Sequence, residues 1–311
     1  MSQPAVYHVP VLLHEVLEAL QLKPGLTVLD GTLGGGGHAA AILQQIMPGG
    51  QLIGFDQDAA AIQQVQQTLG KQYQSNQLIV KHDNIRNVTK YITKIEAALL
   101  DLGVSLWQLH APNRGFSFQQ PNDVLDMRMD QRQIILASTL LNDTAERELC
   151  RILREYGEEP QARVLARTIV QWRKTKRFRI VQDLLDCLWL VKHGSVKSVH
   201  HLAARTFQAL RIAVNQELDW LPAILQDIIS ILSPGGRLAV ITFHSLEDRI
   251  VKQTFKAAAR NCICAPDVPV CICTQQASVR LITTRPIKPT VAEINRNAQA
   301  HSALLRVIEK I

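Results

Sequence analysis

Four consecutive glycines, Gly34 to Gly37, stand between a short apolar run that ends on Asp30 and a helix-forming stretch that begins near Ala39. Glycine lets the backbone turn tightly and approach a ligand with no Cβ in the way. A helix that follows such a turn aims unpaired N–H groups at whatever lies there. A phosphate loop is one reading, but the Gly-Lys-Ser/Thr that holds phosphate and magnesium is absent, and the spacing does not reproduce Gly-x-Gly-x-x-Gly. A tight turn without a ligand is the other.

Carboxylates decide between them. Asp56 ends the run Ile53-Gly54-Phe55, where an acid accepts hydrogen bonds from both hydroxyls of a ribose. Asp58 competes for that role but stands where a helix N-cap is wanted. Asp101 closes a later apolar run and is suited to accept from a ligand amine, while Asp30 is equally suited to bracing the glycine turn through backbone N–H groups. Carboxylates repel a pyrophosphate and attract an adenosine that carries a cationic amino acid. The expected ligand is S-adenosylmethionine.

These residues need a scaffold that brings strand ends to one edge. Strands are expected at residues 27–30, 51–56, 77–80 and 96–102, with helices at 39–47 and 59–69, the repeating unit of a parallel sheet with helices on its faces. From about 103 to 209 the pattern changes to helices, at 144–156, 161–175 and 181–191, with no clear strand. A stretch of that length is too long for a crossover and reads as a helical insertion. The sheet pattern then returns with a helix at 217–232 stopped by Ser233-Pro-Gly-Gly236, a strand at 237–243 and a helix at 246–259. Two last strands, 279–283 and 303–309, are placed to pair at the sheet edge. The chain is thus α/β with an inserted helical domain, divided at 1–108, 109–210 and 211–311.

A net charge of +7, with Lys and Arg concentrated at 163–179 and 280–288, favours a polyanionic partner without choosing among RNA, DNA and an anionic membrane. No apolar run is long enough to span a bilayer and residues 1–10 lack the apolar stretch of a secretory signal, so a cytoplasmic protein is expected. Cys150 and Cys187 fall in helices and read as small buried groups. Cys262-x-Cys264 and Cys271-x-Cys273 are candidates for a structural zinc, although their one-residue spacing is tighter than the usual two to four. A zinc deaminase is excluded, because no His-x-Glu with a Pro-Cys-x-x-Cys is present.

Six segments occur in order: Asp30-Gly-Thr-Leu-Gly-Gly-Gly-Gly-His38, Leu100-Asp-Leu-Gly-Val-Ser105, Arg114-Gly-Phe-Ser-Phe118, Leu125-Asp-Met-Arg-Met-Asp130, Arg205-Thr-Phe-Gln-Ala-Leu-Arg211 and Phe243-His-Ser-Leu-Glu-Asp-Arg249. Together they closely resemble the bacterial family that methylates N4 of a cytosine in the decoding region of 16S ribosomal RNA, over about Val9 to Val307. The resemblance implies a Rossmann-like methyltransferase sheet, doubly wound and interrupted by a helical domain. It implies S-adenosylmethionine contacts at Gly36, Gly37, His38, Asp56, Asp101 and Gln108, with Ile85 as an apolar contact where the family often has Phe. Other departures are Leu106-Trp107 in place of Ser-Pro, His201-Leu-Ala-Ala in place of His-Pro-Ala-Thr, and Asn295-Arg-Asn in place of Asn-Pro-Arg. They read as drift within an active enzyme.

The lone pair of a cytosine amine is delocalised, so catalysis must align N4 with the methyl donor and supply acceptors for its protons. Asp101 and Ser105 are candidates at the end of the fourth strand. His244 is a third, either receiving the released proton or supporting its loop. Ser245 is placed to cap the helix after it, with Asp248 completing a capping box. For the RNA, Arg163, Arg167, Lys176 and Arg177 supply phosphate contacts, and Arg128 and Arg211 either orient the substrate or serve as salt-bridge partners. The expected partner is 16S ribosomal RNA in the small subunit, naked or assembled, with a homodimer left open. Alternatives are methylation of another nucleic-acid amine, or a nonenzymatic RNA-binding assembly factor that keeps the fold.

Overall fold

The computed structural model describes residues 10–191, 196–262, 264 and 272–311. The chain forms two compact units, Met1–Gly103 with Leu218–Ile311, and Val104–Glu217. No helix among the described residues is long and apolar enough to cross a membrane.

The first unit is built on a seven-stranded sheet: β1 Thr27–Asp30, β2 Gln51–Asp56, β3 Leu78–His82, β4 Ile95–Asp101, β5 Leu232–Thr242, β6 Val279–Leu281 and β7 Leu304–Lys310. The order is β3-β2-β1-β4-β5-β7-β6. The first five strands are parallel, and β7 and β6 run antiparallel at the edge. Successive side chains point to opposite faces of a strand, and here both faces are covered. Val28, Ala97 and Leu99 enter one apolar core, while Leu29, Ala98 and Leu100 enter the other. That double burial explains the near-continuous apolar runs in β1 and β4. It makes the fold Rossmann-like. The strand order reverses between β1 and β4, and a parallel sheet opens a ligand crevice at the carboxyl ends flanking such a point.

One expected break lies inside the sheet. Ile95 pairs with Leu232 and Ala97 with Arg237, so residues 233–236 are accommodated as an irregularity opposite Glu96 rather than ending the element. Gly235, at φ 78°, supplies the left-handed residue that this requires. The preceding helix is Leu221–Ile231, four residues later at its start than the sequence pattern suggested, because Pro222 occupies its first turn.

The second unit is helical, with Leu106–His110, Ala137–Asp143, Glu146–Glu155, Ala162–Trp172, Val181–Val191 and Val196–Asn215. Helices Ala137–Asp143 and Val196–Asn215 were not expected from the sequence. Their apolar faces join one core around Leu141, Leu165, Leu184, Leu202 and Phe207. Buried Asn215 ties the loop at 127–129 to the long helix: its side chain accepts from Met129 N–H at 2.8 Å and donates to Met127 O at 2.8 Å.

Candidate functional site

The glycine turn leaves β1 at Asp30 and enters the helix Gly37–Ile46. Gly36 is the N-cap at φ 80° and Gly34 lies at φ 49°, backbone that L side chains rarely adopt. A Cβ on Gly31 would overlap Leu100 and crowd Ile85, so Ile85 packs against the base of the turn. The cradle is held from below by carboxylates. Asp56 Oδ2 accepts from Gly34 N–H and Oδ1 from Asp58 N–H, both at 2.8 Å. Asp30 Oδ1 accepts from Thr32 N–H at 3.1 Å, the bracing role that the sequence left as one of two. Asp58 caps the helix Ala59–Thr68 by accepting from Ala60 N–H, which leaves the strand-end position to Asp56.

Asp101 ends β4 on the same edge, where its N–H donates to Thr32 Oγ1 at 2.6 Å. Its Oδ2 lies 3.6 Å from His38 Nδ1. The other ring nitrogen of His38, Nε2, lies 3.1 Å from Val11 O, so it carries the proton and Nδ1 is left as an acceptor. An acceptor facing a carboxylate is comfortable only when a proton sits between them. Burial, then Asp30 and Glu247, push the Asp101 carboxyl up to about 8. Burial also raises Asp30 to about 7 and Asp56 to about 6, against the hydrogen bonds that each accepts.

Asp101 Oδ1 and Asp30 Oδ2 are buried with no hydrogen-bond partner. Crowded, under-solvated carboxyls of this kind favour a cation. The residues present therefore fit S-adenosylmethionine: Gly36 and Gly37 open the backbone, Asp56 offers acceptors at a strand end, and Asp101 offers one to an ammonium.

The remaining candidates divide among several places. Ser105 and Gln108 open the second unit as a reciprocal capping box: Ser105 Oγ accepts from Gln108 N–H at 3.2 Å and Gln108 Oε1 from Ser105 N–H at 3.0 Å. His244 is the N-cap of the helix Ser245–Ala258, and Glu247 completes its capping box, so the sequence-based assignment of Ser245 and Asp248 to those positions is corrected. Both ring nitrogens of His244 face Glu247, Nδ1 at 3.4 Å from its N–H and Nε2 at 3.1 Å from Oε1. Asp248 instead binds Arg306 through two hydrogen bonds of 2.6 and 2.9 Å.

Arg128 is committed to Asp126 and to the carbonyls of Gln131 and Gln133, and Arg211 to Glu217. Arg163, Arg167, Lys176 and Arg177 are exposed on the helix Ala162–Trp172 and the turn after it. Lys176 pairs with Asp183 and Arg177 with Asp143. Thr32 and Glu247 escaped the sequence reading. Glu247 was detectable, since it follows His244 at capping-box spacing.

Cys262, Cys264 and Cys273 gather their sulfurs within 4.8 Å of one another, with Cys262 and Cys273 at 3.7 Å. Cys271 lies outside the described residues.

Residues 5–311 match the MraW methylase family. The chain is 44% identical to "Ribosomal RNA small subunit methyltransferase H" of Heliobacterium modesticaldum, over 98% of this chain and 99% of that one. It is 42% identical to the protein of the same name from Syntrophotalea carbinolica over the full length of both. The Caldicellulosiruptor saccharolyticus protein, again so named, is 43% identical over 98% and 99%.

Proposed function

Because the chain belongs to the MraW methylase family over residues 5–311, we propose that it transfers a methyl group from S-adenosylmethionine to N4 of a cytosine in the decoding region of 16S ribosomal RNA. The observation that carries this reading is the full-length kinship with small-subunit ribosomal RNA methyltransferases. The cation-seeking carboxyl edge of the first unit supports it independently.

When bound, the cofactor supplies an electrophilic methyl on a sulfonium. Asp56 accepts from its ribose hydroxyls, Asp101 from its ammonium, and Ile85 gives apolar contact, while Gly36, Gly37 and His38 let the backbone come close. Gln108 contributes from the capping box that fixes the chain after β4. Asp101, Ser105 and His244 are the candidates for steadying the amine and receiving its proton. Asp101 is favoured because one of its oxygens has no partner, whereas His244 directs both nitrogens to Glu247.

The helical domain, with Arg163, Arg167, Lys176 and Arg177 toward phosphates and Arg128 and Arg211 fixing loops nearer the substrate, serves RNA recognition in the cytoplasm. Incubation with small ribosomal subunits and methyl-labelled S-adenosylmethionine is expected to label one cytosine at N4. Cofactor binding with no transfer to any ribosomal substrate would instead establish an RNA-binding assembly factor.

We also propose a structural zinc on Cys262, Cys264 and Cys273. Two thiolates on a tetrahedral zinc at about 2.3 Å stand roughly 3.8 Å apart, which the closest pair of sulfurs already matches. Protein purified under reducing, chelator-free conditions should carry about one zinc per chain, lost on Cys262→Ser with a lowered melting temperature. Metal-free protein of unchanged stability would sink this assignment.

A further inference from the structure

The helical unit holds a cavity that neither the cofactor edge nor the cationic helix uses. Its volume is about 350 Å³, and Phe116, Phe118, Phe207, Gln208 and Arg211 are among its walls. Phe118 meets Phe207 edge to face, with ring centroids 5.8 Å apart and planes at 76°, and it leans on His200 on its other side. The polar walls are fixed in direction. Gln208 Nε2 donates to Tyr156 O at 2.9 Å, and Arg211 Nε donates to Glu217 Oε1 at 3.0 Å with both side chains largely shielded.

Beside this cavity the aromatic surface continues outward. The guanidinium of Arg114 lies 5.3 Å from the ring centre of Trp107 and 5.7 Å from that of Phe116. Arg114 is itself anchored through Nη2 to Arg128 O at 3.0 Å. Trp107 is 50% exposed, on a short helix locked by the Ser105–Gln108 capping box. A large exposed indole held this firmly is unusual for a surface that only meets water.

The cavity falls at the small end of the roughly 300–1,000 Å³ range of ligand sites, room for a single planar group and too small for paired strands. Aromatic walls stack any base, and amide and guanidinium groups read base edges, which is how unpaired RNA is recognised. We propose that this cavity receives one unpaired nucleobase of the RNA substrate, with the exposed face of Trp107 stacking a neighbouring base. The identity of the polymer rests on the function proposed above. Trp107 stands where the family commonly has proline, so the outer platform is a feature of this chain.

The full-length protein is to be titrated with a single-stranded RNA oligonucleotide carrying 2-aminopurine, and with the same strand annealed to its complement. Tighter binding of the single strand, with quenching of 2-aminopurine, is expected. Phe118→Leu, which removes the ring while keeping apolar volume, and Trp107→Ala, at an exposed position, should each weaken single-strand binding roughly tenfold and relieve the quenching. Affinity for S-adenosylhomocysteine should stay unchanged. Equal affinity for the two RNA forms, or unaltered single-strand binding by both variants, overturns the proposal. If wild-type protein leaves ribosomal subunits unmethylated yet gives the expected oligonucleotide results, the ribosomal reading falls and the base site stands.

Discussion

Asp56→Ala is expected to weaken S-adenosylmethionine binding by on the order of 10²- to 10³-fold while leaving the protein folded. Two losses combine. The ribose loses both acceptors, and charge-assisted hydrogen bonds are worth about 1.5–3 kcal/mol each. The glycine turn also loses its brace, because Asp56 holds Gly34 N–H and Asp58 N–H at 2.8 Å from β2. Once freed, a turn with Gly34, Gly35, Gly36 and Gly37 in succession has many conformations, so the binding shape must be recovered at an entropic cost on each association.

Folding should suffer less, because burial already holds the Asp56 carboxyl up at about 6, close to losing its charge near neutrality. Asp56→Asn keeps one acceptor oxygen and should fall between the two, about tenfold weaker than wild type. Isothermal titration with S-adenosylhomocysteine reads both variants, alongside thermal melting. An alanine variant that binds within about threefold of wild type would remove Asp56 from the ribose role.

What the sequence disclosed and what it hid have separate physical causes. β1, β2 and β4 were legible because a doubly covered parallel strand is apolar throughout and ends abruptly on a carboxylate, as Asp30, Asp56 and Asp101 do. The helix Val196–Asn215 was not, since it carries His200, His201, Arg205 and Gln208 among its apolar residues and has no proline or glycine to mark its ends. Ser233-Pro-Gly-Gly236 misled for the opposite reason. Breakers describe local backbone, and only the pairing of β4 with β5 shows that an irregular segment is tolerated within a strand.

At the site, residue types announced the cofactor, but not their protonation. The contact of His38 with Asp101 joins residues on different elements, and the Phe118–Phe207 wall joins residues far apart in the chain. No local pattern predicts either. The aromatic cavity was therefore hidden even though Arg114-Gly-Phe-Ser-Phe118 and Arg205-Thr-Phe-Gln-Ala-Leu-Arg211 were both noticed as motifs.

The carboxyl edge makes the second large effect one of pH. Without ligand, Asp56, Asp30 and Asp101 are raised from 3.8 to about 6, 7 and 8, chiefly by burial, so the folded chain holds protons that the unfolded chain has released. Their stabilising contribution is complete below the ordinary carboxylate range and is lost as pH climbs through 6 to 8. Glu148, Glu155 and Asp183 are shifted downward instead, and they act only below that window.

A cationic ligand selects the ionised carboxyls, so binding releases protons and affinity must rise with pH over the interval in which the free protein loses stability. For one proton released the gain is up to about tenfold per pH unit. Asp101 should dominate its upper end, since Asp30, Glu247 and His38 all face it and the first two oppose its charge. Asp101→Asn cannot ionise. Its affinity should be low and nearly flat above neutrality, and its melting temperature should fall less than that of wild type as pH rises. Titration calorimetry in buffers of different ionisation enthalpy counts the protons directly. A wild-type affinity that does not change between pH 6 and 8, with no proton release, would mean that the carboxyl edge does not hold the cofactor's positive charge.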